Sequence, residues 1–265
     1  MKQSQFYYLL RRGLFNAGSA IIKNGLVMFN KFTTAGISHP AQGSAGFNGT
    51  SDYIQLPTDV LTDFSAFTIG AWFYVDAAEA GAILSFGYTP DNNKLLNFEI
   101  SSSNALKFVW RPTGSASLVS ASGLDGFVGQ WNYFVVSVSG ANQSLYYNGS
   151  EVASTTSGAT ATPPVFDKVQ IGMLGRSTNS GFYDGNLANV AIWNRALSSD
   201  EINSVMWKSY EGLTGAESNG LKAWYSLDDI TSPAASLANM EQLATDKDAT
   251  IENKAAITAA INSLS

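Results

Sequence analysis

Hydrophobic and polar residues alternate along much of the chain with the period of a β-strand. Phe67, Ile69, Ala71, Phe73 and Val75 occupy every second position, with Thr68, Gly70, Trp72 and Tyr74 between them. That spacing sends the two sets to opposite faces of a sheet. Similar runs predict strands at 25–32, 47–56, 82–87, 95–100, 106–110, 131–138, 144–147, 151–155, 168–172, 187–193 and 221–227. Polar turns at 90–93 and 102–104 divide the series, and Asn148-Gly149 is a type I′ hairpin signal. Short strands at this spacing predict an all-β fold, a two-sheet antiparallel jelly-roll sandwich.

One stretch breaks the period. After 187–193 the chain reads Asn-Arg-Ala-Leu-Ser-Ser-Asp-Glu-Ile202. Ser198 and Glu201 form a capping box, and Leu197 and Ile202 a hydrophobic staple around it. They predict one short capped helix from 199 to about 210, with Gly212 as a stop. Segment 154–164 is a loop of small residues. The domain is expected to span 25–230, with an N-terminal arm or anchor at 1–24 and a C-terminal tail with a terminal helix at 231–265. The arm carries Phe6, Leu9, Leu10, Leu14 and Phe15. The tail carries Ile257, Ile261 and Leu264 at helical spacing. Apolar clusters outside the domain predict assembly with partner proteins, or self-oligomerisation, through the termini.

Four segments in order resemble the laminin-G-like branch of the concanavalin-A-like lectin jelly rolls, with a pentraxin-like pattern. They are Phe47-Asn-Gly-Thr-Ser-Asp-Tyr-Ile, Phe67-Thr-Ile-Gly-Ala-Trp-Phe, Gln130-Trp-Asn-Tyr-Phe-Val-Val-Ser-Val with Leu145-Tyr-Tyr-Asn-Gly, and the block 184–202. The resemblance implies a binding fold in which only some branches are catalytic. With its extra termini the chain also looks like a bacteriophage virion protein. That implies a capsid or tail decoration protein located in the virion, meeting host surface glycans, with other virion proteins as the partners of its termini. The alternative is a secreted or cell-surface bacterial carbohydrate-binding or adhesion module, extracellular in location. A second alternative is a degenerate glycanase.

Composition narrows the chemistry. The chain of 265 residues is 45% hydrophobic and 14% charged, so a folded core is expected rather than disorder. A net charge of −6 argues against a nucleic-acid partner. No membrane span is expected, because no segment approaches the ~20 apolar residues it needs. The N-terminus lacks the uninterrupted apolar stretch of a signal peptide, since Arg11 and Arg12 cut its run short. No cysteine is present, and His39 is the single histidine, so Cys–His and Ser–His relays have no second site to draw on. Glycanases of this superfamily carry alternating acids on one strand. Here Glu99 stands alone on its strand, and adjacent Asp228 and Asp229 point to opposite faces. A non-enzymatic protein without a required cofactor is expected.

Two candidate sites follow. Asp91 and Asn92 resemble the pentraxin segment that supplies calcium ligands, although the partner loop at 172–181 offers Arg176 and no acid. Calcium is therefore expected to matter little. A glycan site needs aromatic platforms beside amide, carboxylate or guanidinium groups. The candidates are Trp110, Arg176, Asn179, Tyr183 and Asp184, together with Asn92. Trp72, Trp131 and Trp193 are assigned to packing. Asn48-Gly-Thr50 and Asn148-Gly-Ser150 are read as turns rather than glycosylation sites.

Overall fold

A computed structural model describes residues 43–77, 81–101, 104–114 and 117–227. The arm at 1–24, the strand expected at 25–32 and the tail at 231–265 lie outside the described residues. The described chain forms two antiparallel sheets. The back sheet has seven strands: β1 (Ala45–Asn48), β3 (Ala66–Tyr74), β8 (Asn132–Ser139), β9 (Asn142–Tyr147), β10 (Ser150–Thr155), β12 (Asp184–Trp193) and β13 (Leu221–Tyr225). Its order is β1-β12-β3-β8-β9-β10, with β13 also paired to β12. The front sheet has six strands: β2 (Ile54–Leu56), β4 (Gly81–Gly87), β5 (Leu95–Ser101), β6 (Ala105–Arg111), β7 (Ser117–Ala121) and β11 (Lys168–Ile171). Its order is β2-β11-β4-β5-β6-β7. Neighbours distant in sequence share both sheets, as the expected jelly-roll sandwich requires.

The core lies between the sheets, where the alternation places it. Phe67, Ile69 and Phe73 of β3 meet Leu96, Phe98 and Ile100 of β5 and Leu106, Phe108 and Trp110 of β6 in one buried cluster. Phe98 and Phe134 stack across the gap at 3.9 Å and 25°. Strand β12 keeps both its faces apolar by a bulge at Asn189, which has φ +48°. Leu187 and Val190 then both face the core, while Ala188 and Ala191 both face outward.

The outer face of the back sheet is also buried. Trp72, Tyr133, Val135, Ala191, Trp193 and Trp224 pack beneath helix α1 (Ser199–Val205), through its Ile202 and Val205. The expected capping box is present, and Leu197 and Ile202 are both buried beside it. The helix is shorter than the predicted run to 210. The Trp72 indole N–H donates to the Met206 carbonyl at 3.0 Å, taking the acceptor that a further turn would use. A 3-10 turn (Tyr210–Gly212) and helix α2 (Gly215–Ser218) follow. Thr68 Oγ1 donates to the Arg195 carbonyl at 2.9 Å and accepts from the Leu197 N–H at 2.9 Å, while Ser137 Oγ donates to the Leu197 carbonyl at 3.1 Å. The corner leading to α1 is thereby tied to the back sheet.

The loop before β8 is fixed by Asn132. Its Nδ2 donates to the carbonyls of Gly126, Phe127 and Gln130, and its Oδ1 accepts from Tyr147 and from Asn148 Nδ2. Asn148 and Gly149 have φ of +49° and +83°, as a type I′ turn demands. Asn48 Oδ1 accepts from the N–H groups of Thr50 and Ser51, so this sequon position also forms a turn.

Candidate functional site

Among the described residues, α1 and α2 lie over the back sheet and no helix covers the outer face of the front sheet. Its outward residues form rows across the strands. One row runs Gln55, Gln170, Ser85, Asn97, Val109, Leu118 through all six strands. A second runs Lys168, Gly87, Leu95, Arg111. A third contains Glu99, Lys107 and Ser120. The alternation of Leu-Asn-Phe-Glu in β5 and Lys-Phe-Val-Trp-Arg in β6 produces these rows: one set is core, the other a polar floor.

The loop between β11 and β12 folds over the β4–β11 half of this floor. Ser85 Oγ donates to the Met173 carbonyl at 2.7 Å and accepts from the Gly175 N–H at 3.1 Å. The approach requires glycine at 87, where a Cβ would stand 1.8 Å from the Gly175 oxygen. Leu174 and Ser180 pair across the loop's base. Lys168 Nζ donates to the Arg176 carbonyl at 2.7 Å and to Asn179 Oδ1 at 3.0 Å. Asn92 Nδ2 donates to Ser177 Oγ at 2.7 Å, and the Ser177 N–H donates to Asn92 Oδ1 at 3.0 Å. The loop is thus held at four points, and it carries the positive charge of Arg176 to the side of the floor where that charge acts on Glu99.

Electrostatics on the floor centre on Glu99. Burial pushes its carboxyl above the usual carboxylate range, opposed by Lys107, by Arg176 and by the Asn97 amide that donates to it. Asn97 is 2% exposed, and its Oδ1 is buried with no hydrogen-bond partner. The Nε atoms of Arg111 and Arg176 are likewise buried and unpaired. The partly exposed polar groups of this face are the Glu99 carboxylate, the Lys107 ammonium and the Arg111 guanidinium. A sugar hydroxyl, which donates and accepts at once, suits such a set. Val109, half-buried, and Leu118, 56% exposed, supply apolar surface beside them. Glu99 is the single acid of β5 and β6, so the floor offers no second carboxylate from these strands for acid-and-nucleophile chemistry.

The residues expected from sequence do not all meet here. Arg176 and Asn179 share the covering loop. Trp110 does not supply a platform. It is 1% exposed, stacked on Phe64 at 5.4 Å, and its indole N–H donates to the Ala159 carbonyl at 3.0 Å. Tyr183 is also in the core, with its hydroxyl donating to the Tyr74 carbonyl at 2.9 Å. Asp184 is exposed at the start of β12 and pairs with Asn48 in the back sheet, away from the floor. Of the tryptophans assigned to packing, Trp72 and Trp193 are fully buried and Trp131 is half-buried, all against the outer face of the back sheet. Asn97, Lys107 and Arg111 were not among the expected site residues. Their signal was in the sequence, as the polar half of an alternation whose other half is core.

Asp91 and Asn92 have other partners. Asn92 is engaged at both amide atoms by Ser177. Asp91 Oδ1 accepts from the Asn93 N–H at 3.0 Å, and its Oδ2 lies 3.6 Å from Lys94 Nζ. Among the described residues no group of three or more His, Asp or Glu side chains converges. This donor set fits calcium poorly, because the ion takes six to eight oxygens. Addition of EDTA is expected to leave the melting temperature unchanged. A fall of several degrees, reversed by calcium, would show that these two residues reorganise around an ion.

Comparison with known proteins agrees with the architecture. A laminin-G-like family model, described as the concanavalin A-like lectin/glucanases superfamily, matches residues 48–203, more than half of the chain. No curated protein matches. Among solved structures, the CBM40 of the Ruminococcus gnavus IT-sialidase, bound to α2,3-sialyllactose, aligns at 16% identity. The TM-score is 0.52, over 62% of this chain and 97% of that one. A proposed carbohydrate binding protein from Bacteroides ovatus aligns at 19% identity and TM-score 0.55, over 73% of this chain and 53% of that one. The NanB sialidase of Streptococcus pneumoniae aligns at 18% identity and TM-score 0.51, over 64% of this chain and 29% of that one. These identities establish a shared fold. By its sheets, its capped corner helix and the span of the family match, the chain belongs to the concanavalin A-like lectin/glucanases superfamily.

Proposed function

We propose that the protein is a non-catalytic carbohydrate-binding module whose site is the open half of the front sheet: Asn97, Glu99, Lys107, Val109 and Arg111, with the charge of Arg176 acting on Glu99. The observation that carries this reading is the outward row of β5 and β6, where Glu99, Lys107, Val109 and Arg111 stand side by side and are each only partly buried. Asn97 donates to the half-buried Glu99 carboxylate from beneath. Glu99 would accept from a ligand hydroxyl, and Lys107 and Arg111 would donate to ligand oxygens. The CBM40 and the Bacteroides ovatus relative support the reading by what their descriptions say they bind. None of the relatives named above is a virion protein, and a bacterial carbohydrate-binding module accounts for the site as fully as a virion decoration protein would.

A glycan microarray with the full chain tests it. Binding without release of reducing ends is expected. Glu99→Gln is expected to weaken binding about tenfold or more, the loss of a hydrogen bond to a charged group. Unchanged binding in Glu99→Gln and in Arg176→Ala, with both variants folded, would place the site elsewhere. Turnover abolished by Glu99→Gln would revive a glycanase.

A further inference from the structure

We infer that the front-sheet floor takes an acidic saccharide, one bearing a carboxylate or a sulfate, rather than a neutral one. This rests on the carbohydrate-binding reading above and deepens it. The observation is a charge imbalance confined to one face. Four cations project from the front sheet and its loop: Lys107 and Arg111 on β6, Lys168 on β11, and Arg176 on the covering loop. The outward residues of the same strands include one carboxylate, Glu99. The chain as a whole carries a net charge of −6, so the imbalance runs against the molecule's own sign.

Among the described residues, none of the four lies within 4.0 Å of a carboxylate; the three ion pairs are Lys94–Asp91, Arg195–Glu201 and Lys208–Glu217. At the rim, Asp91 is paired with Lys94, and Asp167 accepts from Thr89. Lys168 is engaged by the loop through its hydrogen bonds, and its chain neighbour Asp167 is a second carboxylate at this rim. Lys107 and Arg176 act on Glu99 through space, which leaves the Arg111 guanidinium uncompensated, with its Nε buried and unpaired.

Two guanidinium groups on one face match a planar carboxylate or a sulfate by paired N–H donors, a recognition that a lysine-only surface lacks. Glu99 sets the selectivity. It rejects an anion placed directly over it and accepts sugar hydroxyls instead. The ligand's acid is therefore expected toward Arg111 and its hydroxyls toward Glu99.

The test uses the full chain on an array holding matched pairs. Oligogalacturonate against its methyl ester probes a carboxylate, and chondroitin sulfate against desulfated chondroitin probes a sulfate. The array also carries sialylated and asialo oligosaccharides. The inference expects the bound members to be acidic, with the pair that responds naming the acid. It expects affinity to fall as salt rises from 0.05 to about 0.5 M, where screening shortens to a few ångströms. Arg111→Gln and Arg176→Gln should each weaken binding about tenfold or more, and Lys107→Gln should weaken it less. Lys222→Gln, on the back sheet, should leave binding unchanged. If an arginine variant fails to fold, as read by thermal unfolding, the Lys107→Gln and salt arms still decide. Binding confined to neutral members, or insensitive to salt, overturns the acidic ligand while leaving a carbohydrate-binding module. An array with no bound member removes the carbohydrate reading itself, and this inference with it.

Discussion

Replacing Trp110 by alanine is expected to destabilise the fold by about 3–5 kcal/mol, the cost of deleting a large ring from a packed core. In a domain of this size that lowers the melting temperature by roughly 6–20 °C. The ring stacks on Phe64 at 21° and meets Phe67 and Phe166 edge-on or tilted at 6.4 Å and 6.3 Å. Alanine also leaves the Ala159 carbonyl without its indole donor. Trp110→Phe keeps an aromatic ring and loses the hydrogen bond, so it should cost less, about 1–2 kcal/mol. Thermal and chemical unfolding of the three proteins gives the order. The same variants distinguish core from platform. At temperatures where Trp110→Phe is folded, its glycan binding should equal that of the parent. A stable Trp110→Ala that has lost binding would mean that the ring faces the ligand after all.

This residue shows where sequence reading stopped short. Trp110 is a platform candidate in the sequence because a glycan site needs an aromatic surface, yet it ends the strand at 106–110 and falls on the same alternation as Leu106 and Phe108, which are core. Applying the strand period to Trp110 itself puts it inside and puts Lys107, Val109 and Arg111 on the floor. The candidate site is thus partly legible, as the polar half of β5 and β6, beside an apolar half that draws the eye to Trp110. Tyr183 was not legible in that way. It precedes β12 outside any strand, and only the packing against Phe47 and the bond to the Tyr74 carbonyl bury it. Strand β7 was missed because Ser-Leu-Val-Ser-Ala carries little strand propensity; its pairing with β6 defines it. The corner at Ser198 was read correctly because a cap is a local interaction, complete within four residues. A second cap of the same type, Thr214-Gly-Ala-Glu217, was equally readable and was passed over.

That second cap carries the other large effect. Glu217→Gln is expected to cost on the order of 3 kcal/mol at neutral pH, and the loss should fade in acid. Glu217 closes its own capping box by accepting from the Thr214 N–H at 2.7 Å. It also accepts from Ser204 Oγ of α1 at 2.6 Å and from Lys208 Nζ at 2.5 and 2.7 Å. Its backbone carbonyl accepts from the Trp193 indole at 2.8 Å, so one residue joins α1, the following turn, α2 and the back sheet. Burial alone would raise this carboxyl. The bonds from Lys208, Ser204 and Thr214 outweigh it and hold the pKa at about 2 instead of 4.5. Because the folded value is depressed, the stabilisation is fully present above 4.5 and is lost as pH falls toward 2. Glutamine keeps much of the shape and removes the charge. The stability gap between parent and variant should therefore be largest from pH 5 to 7 and shrink steadily between 4.5 and about 2. Other acids titrate in this window: Arg195 lowers Glu201, and burial raises Glu99 with the opposite sign. Both are common to parent and variant and cancel in the difference. Urea unfolding of the pair at several pH values measures it directly. A gap that stays constant from pH 7 to 2.5 would show that the carboxylate's charge does not hold this corner.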